Sequence, residues 1–416
     1  MTVKQAIFVH EFPSGLVLLA ESMEWLESAS LTVRIPAGCN YDPEDRAGLA
    51  GMTCEQALRG AGPRDSREFI TDLDNLGVER GEGISSSHQS FSAATLAANL
   101  APALEIYADL ILRPHLPDDQ LEASRNVVLQ ELQAIEDEPS QKVMQELRRQ
   151  HYPDPWGRPS QGDEAGVTAT TNDDIRAFWN THCRPDGSII SVAGRFDWPA
   201  LLDQVTRLFG DWPSRGVEEI VEHPAPRSVT HIPHESNQTQ VAIAYASLPY
   251  KHPDYFRAWG SVGVLSGGMS ARLFTEVREK RGLCYTVYAS HHTQRERGDV
   301  FCYAGTSAER AQETLDVTLA ELIRLKDGVL SEEIDRLKAR IKSSLIMQQE
   351  SSGARASSIA RDWYLLGRVR TLDEIETAID GLTAAGISEY LATQPPRDFT
   401  IVTLGQQALE VRDGVS

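Results

Sequence analysis

A pattern that occurs twice limits this chain more than any other feature. LILRPHLPDDQLEASRNVVLQELQAIEDEPS at 110–140 and ELIRLKDGVLSEEIDRLKARIKSSLIMQQESS at 321–352 each run from a helix end, through a short break and a new N-cap, into a long helix closed by polar residues and Ser. A strand-like segment and a helix precede each one, TLAANLAPALEIYADL in the first half and CYAGTSAERAQETLDVTLAEL in the second. A supersecondary unit used twice predicts two similar bodies with two cores. The length of 416 residues fits, because a single core stops growing near about 250–300 residues.

The segments around the repeat indicate the class. AIFVHEF and LVLLAE flank the turn tripeptide Pro13-Ser14-Gly15, and SLTVRIPAG alternates Leu31, Val33 and Ile35, so an antiparallel sheet opens the chain. SREFITDLDNLG sets Phe69, Ile70, Leu73 and Leu76 on one helical face and stops at Gly77. SIISVAG, after the turn RPDG, returns to strand, and DWPALLDQVTRLFG reads as a helix. The expected class is α+β, two similar domains from internal duplication, each an antiparallel-rich sheet packed with helices. Region 211–225, with Pro213, Gly216 and Pro224 among charges, reads as a linker and gives expected domains 1–215 and 226–416.

Sixty acidic against forty basic side chains leave a formal charge of −20. Such a surface repels phosphate backbones, so no nucleic acid is expected as a ligand, and cationic peptides are favoured. His10, Glu11 and Pro13 interrupt the apolar start, and no stretch approaches the roughly 20 apolar residues of a membrane span, so neither export nor a membrane is expected. The five cysteines are odd in number, scattered and without a C-x-x-C, which suits free thiols and a cytoplasmic location.

The frame IPAGCNYDPEDRAGLAG, a helix carrying Glu55, ALRGAGPRDSREFITDLDNLG, VVLQELQAIEDEPS and, in the second half, GGMSARLFTEVREKRGLCYTVYAS resembles the pitrilysin/insulinase family of inverzincin metallopeptidases. The likeness is greatest to the half-size members of mitochondrial processing peptidase type. That family carries H-x-x-E-H on a helix and a glutamate about 75 residues further on. Two histidines four apart share a helical face and hold zinc, the distant carboxylate completes the set, and the intervening Glu deprotonates the zinc-bound water. Here the in-frame segment is Met52-Thr53-Cys54-Glu55-Gln56. Glu55 keeps the base position and Glu131 the third-ligand position, but Met52 and Gln56 replace the histidines. A thioether suits Cu(I) and an amide oxygen binds zinc poorly, so no metal is expected in this degenerate site. Cys54 lies about 200° round the helix from both positions and replaces neither. Without the resemblance Glu55 reads as a partly exposed helix carboxylate; with it, as the remnant of an emptied metal site.

Taken alone, Arg278 is a solvated charge on a helix and Tyr285 a core or edge residue. The resemblance implies more: the matching pair hydrogen-bonds substrate near the scissile carbonyl, and the loop at Gly267-Gly268 lets substrate backbone approach. Otherwise those glycines make a helix–helix turn. In half-size members two subunits close as a clamshell, one bearing the metal and the other the Arg/Tyr pair. The resemblance therefore implies a non-catalytic subunit, inactive alone, with no cofactor of its own. Its expected partners are an extended peptide and a homologous zinc-bearing subunit in a heterodimer, with a homodimer possible in isolation. The alternative is a scaffold subunit of a larger assembly. His231 and His234-Glu235 flank Pro233 at a strand start, where helical ligand spacing is absent, and His291-His292 is expected to be exposed at a strand end.

Overall fold

The computed structural model describes residues 5–411. The chain forms two compact units. The first takes residues up to Ala134, Arg158–Glu222 and Ile346–Val369; the second takes Ile135–Gly157, His223–Leu345 and the chain from Arg370 on.

The first unit holds a six-stranded sheet of β1 (Ala6–Glu11), β2 (Val17–Ser22), β3 (Ser28–Ile35), β4 (Glu79–Ile84), β5 (Gln89–Leu96) and β6 (Ile189–Gly194). Its order is β1-β2-β6-β3-β5-β4. Gly15, at φ 88°, makes the first hairpin possible, pairing Phe8 with Ala20. β2 and β6 run parallel with Leu18 beside Ile190; the other pairs are antiparallel. The second unit holds β7 (Val229–Pro233), β8 (Gln238–Ser247), β9 (Cys284–Thr293), β10 (Gly298–Ser307) and β11 (Thr400–Gly405), ordered β9-β10-β8-β11-β7. Leaving β1 aside, β2-β6-β3-β5-β4 and β7-β11-β8-β10-β9 are the same arrangement, down to the single parallel pair in each. The duplication is therefore one of topology.

In the first unit, helices Leu49–Ala57, Leu100–Leu112, Asn172–His182 and Trp198–Phe209 bury their apolar faces in one core with Leu31, Val33, Ile190 and Val192. In the second, Tyr255–Ser266, Ala311–Arg324 and Ala384–Thr393 do the same against Val241, Ile243, Cys302 and Ile401. The helix expected from SREFITDLDNLG spans Ser66–Asn75 behind a capping box of Asp65 and Glu68. Phe69 and Leu73 are buried, while Ile70, one 100° step off that stripe, is exposed.

The division differs from the expected 1–215 and 226–416 in two helical segments. Helix Pro139–His151, from the first half of the sequence, belongs to the second unit; Val143, Met144 and Leu147 pack on Ala242, Ala244, Phe301 and Val402. Helix Ser352–Leu366, from the second half, belongs to the first unit, where Ile359 and Ala360 cover Val17, Leu19 and Ile189. The reason is that both sheets are apolar on both faces, β6 and β11 being buried along their whole length, so each needs a second cover. Buried polar contacts hold the register of each cover. Arg355 donates to Glu21 at 2.7 and 2.9 Å, and Ser352 bonds Ser30 at 2.8 Å. His151 bonds Asp299 at 2.8 Å and Thr400 at 2.9 Å.

Candidate functional site

The sequence-derived site residues fall into two groups, one in each unit. In the first, the Glu55 helix starts at Gly48, whose φ of 100° turns the chain into it. The Asp42 carboxylate accepts the Gly48 and Ala50 amides, both at 2.8 Å, so a side chain satisfies helix-start donors that would otherwise be orphaned. Met52 and Gln56 are both wholly buried on the inner face. Among the described residues neither the amide nitrogen nor the amide oxygen of Gln56 has a hydrogen-bond partner, which leaves a polar side chain stranded in an apolar core. Glu55 is half-buried and ion-paired with Arg59 one turn on.

Glu131 stands on the helix Leu121–Glu136. Its carboxyl is pushed above the usual range by burial first, then by the charges of Glu55 and of Glu82 on the edge strand β4. Burial and the same three carboxylates raise the Cys54 thiol well above its ordinary value, so it is an inert, protonated core group. Thus the structure gathers Met52, Glu55, Gln56 and Glu131 around one helix, and adds Glu82. Among the described residues no group of three His, Cys, Asp or Glu side chains is placed to hold a metal ion. A thioether and an unpaired amide beside mutually repelling carboxylates do not fit zinc.

In the second unit, helix Tyr255–Ser266 ends at Gly267, where a Cβ would lie 2.2 Å from the Gly263 carbonyl. Gly268 follows at φ 152°, with open space where a side chain would be. The Ala271 amide returns to the Gly268 carbonyl at 3.0 Å and leads into a π-helical turn, Phe274–Glu279, that carries Arg278. The Arg278 guanidinium carbon lies 4.7 Å from the Phe274 ring centre and 4.9 Å from that of Tyr285, so it is held between two aromatic faces. Glu276 engages Lys280 and Arg281 instead. Among the described residues Arg278 has no ion-pair or side-chain hydrogen-bond partner. Tyr285 sits at an irregularity in the β9–β10 register between Cys284 and Thr286, on the edge strand of its sheet, and is 82% exposed. A bulge re-aims a side chain away from the alternation of a strand, and here it leaves the phenol in solvent.

The other histidines hold structural contacts. His231 bonds Thr403 at 2.9 Å across β7 and β11. His291 and His292, expected to be exposed, are half-buried in β9 and bond Ser247 at 3.0 Å and Ser290 at 2.8 Å. Sequence reasoning missed Glu82 and Phe274. The i, i+4 spacing of Phe274 and Arg278 is a signal for the second; nothing in the order of residues points to Glu82.

Two family models match the chain: "Insulinase (Peptidase family M16)" over residues 17–162 and "Peptidase M16 inactive domain" over 169–341. The "uncharacterized zinc protease YmxG" of Bacillus subtilis is 27% identical over 390 residues, covering 92% of this chain and 94% of that protein. An "uncharacterized zinc protease" of Rickettsia felis is 23% identical, with coverage of 92% and 94%. Among solved structures, the "peptidase M16 inactive domain" of Pseudomonas fluorescens superposes with a TM-score of 0.88 at 22% identity, covering 98% of this chain and 99% of that one. A "protease from Helicobacter pylori" gives 0.87 at 19%, with coverage of 96% and 99%. Fold and site thus define a duplicated α+β protein of peptidase architecture with Met52 and Gln56 on the buried face of the Glu55 helix. The chain belongs to the insulinase, or M16, family of peptidases.

Proposed function

We propose that this chain is the non-catalytic subunit of a heterodimeric zinc metalloendopeptidase, binding an extended peptide and lending Arg278 and Tyr285 to the active site of a zinc-bearing homologous subunit. One observation carries the reading. The ligand positions hold Met52 and a stranded Gln56, while Arg278 is an unneutralised guanidinium stacked beside a solvent-facing Tyr285. A chain that only filled space would not need a cation left without a counter-charge.

Chemically, the pair supplies two donors. A guanidinium and a phenol aimed at the oxygen of a carbonyl under attack stabilise the charge that develops there, by about 3–4 kcal/mol for a well-placed donor. Any zinc and its water belong to the partner. The acid surplus of the chain suits capture of basic peptides, weakening with salt. Five buried free cysteines support a reducing compartment, and we place the protein in the cytoplasm. Among the described residues no helix is long and apolar enough to cross a membrane.

The test is reconstitution. Mixing this chain with an H-x-x-E-H-bearing homologue from the same source should create peptide cleavage that neither shows alone, and Arg278→Ala should lower kcat of the mixture about 10²-fold without dissociating the dimer. A complex that forms but cleaves equally well with Arg278→Ala would replace this reading with that of a scaffold subunit.

A further inference from the structure

We propose that a cleft in the first unit binds a small organic anion with a flat apolar body, an aromatic carboxylate or phosphate. The cleft, of about 490 Å³, lies between the 111–116 segment, the end of helix Asn172–His182 and the 208–215 segment, and is formed wholly by the first unit. Its size is that of ordinary ligand pockets, roughly 300–1,000 Å³. None of the residues of the Glu55 and Arg278 groups lines it.

Its charge runs against that of the molecule. On a chain with a formal charge of −20, the lining has Arg113, Arg176 and Arg215 against one acid, Asp211. Two of the arginines are occupied: Arg113 pairs with Asp109, and Arg176 with Asp118 and Asp173. Arg215 is different. Its backbone amide donates to the Asp186 carboxylate at 2.9 Å and the preceding Ser214 hydroxyl donates to the same group, so the segment is pinned by its main chain. The guanidinium itself has no ion-pair or hydrogen-bond partner among the described residues. Burial raises the thiol of Cys183, a lining residue at the end of the helix, and the nearby Arg215 charge offsets part of that rise.

The floor is apolar and aromatic. Trp179 and Trp212 line it at 6% and 7% exposure, together with Ile111 and Leu208. An unpaired guanidinium therefore stands beside an apolar, aromatic lining in which Asp211 is the one carboxylate. The ligand that suits this lining brings negative charge to Arg215 and a ring to the tryptophans. The 111–116 segment is held under strain. Leu116 has φ 45°, a conformation rare for a branched side chain, and Arg176 donates to its carbonyl at 3.4 Å.

The experiment is calorimetric titration of the full chain with phenyl phosphate, N-acetylphenylalanine and, as neutral control, N-acetylphenylalanine amide. At least one anion should saturate a single site at submillimolar concentration; whichever binds more tightly identifies phosphate or carboxylate as the natural head group. The amide should bind at least about tenfold more weakly, and Arg215→Ala should weaken the anion by about tenfold or more, with Arg215→Lys between. Asp211→Asn should tighten it. Arg215 and Asp211 are exposed, so neither change threatens folding. The proposal is overturned by no saturable binding of either anion below about 1 mM, by equal affinity for the neutral amide, or by an affinity that Arg215→Ala leaves unchanged.

Discussion

The Arg278 guanidinium carbon lies 4.9 Å from the centre of the Tyr285 ring, and this contact joins a π-helical turn to a bulged edge strand. The ring positions the cation and the hydroxyl is a donor in its own right, so the two functions of Tyr285 can be separated. Tyr285→Phe keeps the stack and removes one donor; in a reconstituted peptidase it should lower kcat about 10²-fold with KM little changed. Tyr285→Ala removes both and should cost more. With the side chain 82% exposed, neither change should alter unfolding free energy by more than about 0.5 kcal/mol. Steady-state kinetics beside urea unfolding checks both statements.

Gln56 supplies a stability prediction of unusual sign. Its amide is wholly buried with both polar atoms unpaired. Leaving a buried polar group unsatisfied costs about 1–3 kcal/mol, whereas an apolar side chain of similar volume carries no such cost. Gln56→Met should therefore stabilise the protein by about 1 kcal/mol or more and raise Tm by a few degrees. A fall in Tm by scanning calorimetry would show that the amide has found a partner. Glu55→Gln, by contrast, should change neither peptide cleavage by the mixture nor metal content.

The same helix offers a test of the remnant-site reading. Met52 and Gln56 are four apart on one buried face, and Glu131 is already raised by burial and then by repulsion from Glu55 and Glu82, the second of which a cation would relieve. Met52→His with Gln56→His rebuilds an H-x-x-E-H segment. The double variant should carry about one zinc per chain after dialysis by elemental analysis, and wild type none. If the double variant folds and still carries no metal, Glu131 is not in reach of the helix face and the remnant-site reading of Glu55 falls.

How much of this was legible in the residue order depends on the range of the interaction. The repeated helix–break–helix pattern showed the duplication because caps and apolar periods are local. The apolar face of Val143, Met144 and Leu147 said that helix Pro139–His151 is buried, but not against which sheet. That was decided by partners such as Asp299 for His151, and for the companion helix by Glu21 for Arg355, 334 positions away. The Met52–Gln56 segment was readable from spacing once the family resemblance supplied a template. Arg278 and Tyr285 came from the same template and not from the residues alone, for a stacked arginine without a counter-ion and a solvated one look the same in sequence, and the bulge that brings out Tyr285 leaves no mark there either.

The last prediction concerns pH, where two buried groups of the first unit act in opposite directions. Burial pushes the Asp42 carboxyl from its ordinary 3.8 up to about 7, outweighing the two amides it accepts. A carboxyl whose pKa is raised by folding favours the native state while protonated; its contribution is complete below pH 3.8 and is lost as pH climbs to about 7. His182, stacked on Tyr41 and buried beside Arg184, is driven by that burial from 6.5 down to about 4. Here folding favours the neutral ring, so the contribution is complete above pH 6.5 and is lost as pH falls through 4. Between those limits the two slopes oppose each other, and wild type should be flatter than either single variant. Relative to wild type, Asp42→Asn should gain stability as pH rises from 4.5 to 6.5, and His182→Asn should lose it, each by about 1 kcal/mol or more after solvent screening. Urea midpoints at the two pH values decide the matter through the change with pH, not the absolute cost, since Asn at 42 also gives up one acceptor oxygen to the Gly48 and Ala50 amides. Parallel pH profiles for all three proteins would mean that neither group changes its protonation on unfolding in this range.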